Sequence, residues 1–195
     1  MVRNIRGHRI RWHIMAAQGA YIGVASAAVM LAIAMATFPI FASNTDGWTF
    51  AKIISTVALG NSAAHPLTGF AFVPVVVGLA IHFALSITIG VVYAGLVAMF
   101  DLEGWTPVAL MGLIIGAIAF VWSAALIGAG VGPASFADLP LGALLWGNIA
   151  FGLTAGVLLA TWADRADLDR DITSVDDGVR VRAFEGDELQ TGLPR

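Results

Sequence analysis

Residues 78–90 read GLAIHFALSITIG, an apolar stretch that carries an imidazole at His82 and a hydroxyl at Ser86. Residues four apart share one face of a helix, so the two groups would stand one turn from each other. An imidazole near neutral pH can bind or release a proton, or ligate a metal. Such a ring in an apolar run is therefore the first place to look for chemistry. A neutral imidazole also donates through one nitrogen and accepts through the other, which equally serves helix register. Both roles stay open: a structural hydrogen bond on one side, a proton, ligand or solute site on the other.

Most catalytic apparatus is excluded by what surrounds it. His82 is the only histidine in an apolar segment; His8, His13 and His65 lie in polar ones. A haem held by two histidines of one chain lacks its second ligand. No cysteine is present, and neither zinc-ligand spacing nor a di-metal carboxylate set occurs. There is no phosphate-binding loop, no dinucleotide fingerprint and no serine-nucleophile motif with a base. A short basic tail is all that would support nucleic-acid binding, and none is expected. The chain is read as non-catalytic and without a cofactor.

The elements that position His82 follow from composition. Of 195 residues, 58% are hydrophobic and 12% charged. Four stretches carry no charge: 14–45, 66–100, 107–137 and 139–163. About 20 apolar residues span the roughly 30 Å of membrane hydrocarbon. Four transmembrane helices are expected, near 16–40, 72–100, 107–129 and 139–162. The fold class is an all-α membrane protein, an antiparallel bundle of four spans. A basic cytoplasmic tail (1–15) precedes the membrane domain (16–162), and a charged cytoplasmic tail (163–195) follows it. The apolar core of the first span, about 25 residues, is longer than that of a cleavable signal, about 7–15.

Arginines cluster before the first span and after the last, and Lys52 is the only Lys or Arg between Arg11 and Arg165. Basic flanks stay cytoplasmic, so both termini are expected there. The tail after Trp162 is of mixed charge and too short for its own core. Its composition reads as disordered, although VRVRAF alternates like a strand. Trp12, Trp48, Trp105 and Trp162 sit where interfacial aromatics anchor spans, with Lys52 beside Trp48.

Between spans one and two, Phe50, Ile53, Ile54 and Val57 form an apolar stripe at helical spacing, while Thr49, Lys52, Ser55 and Thr56 lie largely off it. Asn44, Thr45 and Asp46 offer N-caps, and Gly60-Asn61 a C-terminal stop. A short amphipathic helix over about 46–60, lying in the outer interface, is expected. The alternative is a re-entrant segment whose backbone is covered by protein or water.

Small residues at spacing four let membrane helices approach closely. Span one has Gly19, Gly23 and Ala27; span two has Gly78, His82, Ser86, Gly90 and Ala94; span three has Gly112 and Gly116; span four has Asn148, Gly152 and Gly156. Antiparallel tracing puts His82, Ser86, Trp122 and Asn148 at similar depth. They are expected to meet in one polar layer.

At WTFAKIISTVALG and HFALSITIGVVYAGLVA the chain resembles a loosely defined family of small four-span bacterial inner-membrane proteins of unknown function. Trp48, Lys52, Ile53, Leu59, Gly60, His82, Leu85, Ser86 and Gly90 carry the resemblance, which spans roughly residues 15–162. It implies a bacterial inner-membrane location and this architecture, with no activity attached. The leading functional reading is an accessory or interaction subunit of a larger membrane complex, joined to a protein partner or to further copies of itself. The alternatives are a small oligomeric transporter or channel using the His82 layer, and a membrane enzyme acting on a lipid or quinone.

Overall fold

The structure, a computed structural model, describes residues 12–128 and 134–162. The basic tail before Trp12 and the charged tail after Trp162 lie outside them. The described residues contain five helices: α1 (Trp12–Phe41), α2 (Thr49–Leu59), α3 (Phe72–Phe100), α4 (Trp105–Gly128) and α5 (Leu141–Trp162). Four are long and apolar enough to cross a membrane, and α2 is the short helix between the first two of them. α1 is already helical at Trp12, earlier than the apolar run alone implies. It runs through Pro39 in its last turn; the ring removes one helix hydrogen bond there, and the helix ends two residues later.

Two glycine ladders build the bundle. In the first, α1 lies on α3. A Cβ on Gly19 would stand 2.6 Å from Val91 Cα, and one on Gly90 would stand 2.8 Å from Gly23 Cα. Gly23 rests on the backbone of Ser86 and Ile87 one turn further along. In the second, α4 lies on α5. A Cβ on Gly112 would stand 2.7 Å from Gly156 Cα, and one on Gly152 would stand 2.5 Å from Gly112 O. Backbone approach this close gains dispersion contacts that lipid tails cannot match.

The two pairs meet through larger side chains. Ile22 of α1 and Ala155 and Leu159 of α5 share one buried cluster with Tyr93 of α3 and Val108 of α4. The Tyr21 ring stacks on Trp162 with centroids 5.1 Å apart, so α1 and α5 share the terminal end. There Tyr93 donates its hydroxyl hydrogen to Val108 O at 2.6 Å, tying α3 to α4. At the far end a second cluster joins Phe38 of α1, Phe50 and Ile53 of α2, and Ala143 and Leu144 of α5.

α2 is a wedge in that far end. Its backbone at Ala51 sits where a Cβ on Gly78 of α3 would have to go. Phe50 packs edge-on against Phe38, with centroids 5.7 Å apart. Thr56 receives a hydrogen bond from Ser135 of the α4–α5 connection at 3.1 Å. The apolar stripe and the polar positions are both turned inward: Thr49, Phe50, Lys52, Ile53, Ser55 and Thr56 are all buried. Val57, expected on the packed stripe, is instead 60% exposed. The polar side can face in because Ser55 and Thr56 return their hydroxyls to Lys52 O and Ile53 O of their own helix, at 2.7 and 2.6 Å.

Candidate functional site

His82 is 5% exposed. Its Nε2 lies 3.2 Å from Ala27 O of α1, the next rung of the first ladder. The ring packs edge-on against Phe50 of α2 at 5.2 Å and against Phe83 at 5.7 Å between centroids. Three elements therefore fix the imidazole: α3 carries it, α1 offers a carbonyl, and α2 covers it from the far end.

Of the four residues expected in one layer, His82 and Ser86 share the face of α3 turned to α1, and Trp122 and Asn148 lie on other faces. Ser86 is buried one turn from His82, where its backbone meets Gly23. Trp122 is 66% exposed on the outer face of α4. Asn148 is buried on the α4–α5 ladder, where its backbone meets Gly116, and its amide donates to Leu144 O of its own helix at 2.8 Å. Depth matching placed these groups at one level but could not give the rotation of each helix. The ladders set that rotation: they turn the His82 face of α3 to α1 and the Asn148 face of α5 to α4.

The expected anchors divide in the same way. Trp12 and Trp105 are exposed, and Trp162 is half-buried against Tyr21. Trp48 stands edge-on to Phe70 with centroids 5.1 Å apart. Lys52 is only 1% exposed, so its ammonium does not reach outward as an interfacial anchor would.

Lys52 instead belongs to a polar centre that the sequence reading did not assemble. Its Nζ donates to the carbonyls of Leu67, Thr68 and Gly69 at 3.0, 3.2 and 3.2 Å, and to Pro66 O. Asp46 works beside it. Asp46 Oδ1 accepts from Trp48 N at 2.9 Å and from Thr49 N at 3.1 Å, capping α2. Its Oδ2 accepts from Gly69 N. Thr49 Oγ1 shares its one hydrogen between Leu67 O at 2.9 Å and Asp46 Oδ1 at 3.1 Å. Together these bonds strap residues 66–69 back onto the start of α2.

The charges answer to this setting. Burial pushes the Asp46 carboxyl up, but the Gly69 and Trp48 N–H groups, the Thr49 hydroxyl and the Lys52 charge outweigh it, leaving Asp46 below its ordinary 3.8. Burial draws Lys52 below its ordinary 10.5, and Asp46 pulls it part of the way back. The signal in the sequence was a lone lysine six residues after an aspartate, in a region otherwise free of charge. Its ring of backbone carbonyls leaves no residue-type signature.

Among the described residues no three His, Cys, Asp or Glu side chains lie close enough to hold a metal ion together. Comparison with known proteins adds no relative: no family model, no curated protein and no solved structure matches this chain.

Proposed function

We propose that this chain is a non-catalytic accessory or interaction subunit of a larger complex in the bacterial inner membrane, with both termini cytoplasmic. The observation that carries the reading is the packing of His82. Its ring is held between Ala27 O and two aromatic rings, which suits a group that sets helix register. Two backbone-to-backbone ladders hold the spans in close pairs. Large apolar residues stand outward on α4, among them Leu110, Ile114, Ile118 and Val121, where lipid or a partner's span can lie against them. Arginine-rich flanks support the orientation.

Purification in a gentle detergent followed by native mass spectrometry tests this. A stoichiometric partner protein is the expected result. A clean monomer or homo-oligomer that retains its lipids would refute it.

A small transporter or channel is the second reading, and one observation favours it. Ser26 precedes the carbonyl that holds His82, and its hydroxyl is buried without a hydrogen-bond partner. A buried hydroxyl left unpaired is costly, and functional sites tolerate such groups. Solute flux into proteoliposomes that His82→Ala abolishes, with assembly intact, would replace the first reading with this one.

A further inference from the structure

The carbonyl oxygens of four consecutive residues, Pro66, Leu67, Thr68 and Gly69, turn toward a single point. The Lys52 ammonium occupies it. An ammonium has three N–H donors, so four oxygens around it exceed the number of directed bonds it can make. At least two of them share one hydrogen, an arrangement that surrounds the charge. Backbone carbonyls that replace a hydration shell are how proteins hold bare monovalent cations.

The oxygens are not gathered by Lys52 alone. Gly69 sits at φ +84, a conformation open to a residue without a Cβ, which lets the chain curl. Its N–H is fixed on Asp46 Oδ2. Leu67 O is fixed by the Thr49 hydroxyl. Two of the four residues are thus positioned by groups other than the lysine. Asp46 also supplies a negative charge next to the ring without occupying its centre.

We propose that residues 66–69 form a carbonyl cage that is a binding site for a primary ammonium ion in its own right, and that Lys52 fills it from within the chain. The inference is independent of the subunit reading above. It makes the far-end strap closed by a tethered ligand, and open to a free one once the tether is cut.

The full-length protein in detergent provides the test. Lys52→Ala removes the atoms beyond Cβ, which n-propylammonium reproduces. Thermal melting is followed by tryptophan fluorescence, since Trp48 lies against Phe70, the residue that follows the strap. Lys52→Ala is expected to melt below wild type, and n-propylammonium to return at least half of the lost melting temperature. Sodium and tetramethylammonium at the same concentration should return none, and Lys52→Met, whose thioether fills the path, should not respond to the amine. No recovery with n-propylammonium overturns the proposal, as does equal recovery with every salt or in Lys52→Met.

Should Lys52→Ala fail to fold, the wild-type protein decides. Lys52 is the only lysine in the chain, so 15N-lysine labelling gives one side-chain nitrogen. A caged ammonium yields a slowly exchanging N–H signal at neutral pH and resists amine-reactive reagents until the protein is unfolded. Rapid exchange together with prompt modification in the folded protein overturns the cage.

Discussion

Substituting Gly19 by alanine tests whether the α1–α3 ladder is set by backbone approach. A Cβ there would stand 2.6 Å from Val91 Cα, 2.7 Å from Gly90 O and 2.9 Å from Gly90 C. Ordinary contact begins at 3.4 Å, so the worst of these falls short by about 0.8 Å. All three obstacles are backbone atoms of α3, so no side-chain rotation relieves them. The helices must part locally, and the Ala27 carbonyl, two turns along the same face, moves with α1 away from His82. Overpacking of this kind costs about 1–3 kcal/mol. Gly95→Ala is the control. A Cβ at Gly95 would meet only Met15 and Trp12 side-chain atoms at 3.7–3.9 Å, and the gain in helix propensity is about 0.5–1 kcal/mol. The two changes add the same methyl group to the same helix pair, yet they should move stability in opposite directions. Unfolding by denaturing detergent in mixed micelles, followed by circular dichroism, measures both. Equal destabilisation by the two substitutions, or none at Gly19, would refute the argument from close approach.

His82→Leu should lower stability by about 0.6 kcal/mol and by no more than roughly 1.7 from the lost interhelical hydrogen bond, without changing assembly on a sizing column; dissociation of an otherwise folded complex would contradict a purely register-setting ring. Asp46→Ala should cost about 1–2 kcal/mol, since it removes an N-cap as well as the Gly69 tether, and hydrogen exchange should quicken at residues 66–70 before it does in α3. The pH dependence has a definite sign. Asp46 is held below 3.8 in the folded protein, so its contribution is fully present above that value and disappears as pH falls through its lowered pKa. A melting temperature that falls on acidification in wild type, and much less in Asp46→Asn, is the expected result. Tyr93→Phe removes the hydroxyl that bonds Val108 O; that carbonyl keeps the bond of its own helix, so the loss is about 0.5–1.5 kcal/mol, and a cysteine pair bridging the α3–α4 turn should then cross-link over a wider range of spacers.

Four spans, their order and the short helix between the first two were legible because charge-free length and apolar periodicity are properties of the chain itself. Spacing four also marked the faces that pack: Gly19, Gly23, Gly90, Gly112, Gly152 and Gly156 all lie at backbone contacts. Which ladder pairs with which was not legible. A small-residue row states that a helix has a close neighbour and not which one it is. His82 and Asn148 were consequently read into one layer, whereas they sit on two different ladders. The burial of α2 was missed for a related reason. Polar residues off an apolar stripe are normally read as facing water. Here Ser55 and Thr56 satisfy themselves on their own helix, and Lys52 finds carbonyls 14–17 residues away in the chain. A local pattern cannot announce a partner made of backbone.

The wedge and the ladders divide the work of holding the bundle. Each ladder fastens two helices along much of their length, α1 to α3 and α4 to α5, and neither fastens one pair to the other. At the terminal end that task falls to the cluster around Ile22 and Tyr93, and at the far end to α2. A helix placed there must touch both pairs, so most of its length is turned inward, polar residues included, and only its last turn at Val57 and Leu59 stays exposed. Phe50 reaches α1 and α3, Ala51 meets Gly78, and Thr56 reaches the α4–α5 connection. Burying Lys52 is then the consequence of joining two pairs with one short helix, and the carbonyl cage is what makes that burial tolerable, since a buried charge without compensation is strongly unfavourable. Substitutions at the ladders should therefore weaken one helix pair at a time, whereas loss of the cage should loosen the far end of all four spans together.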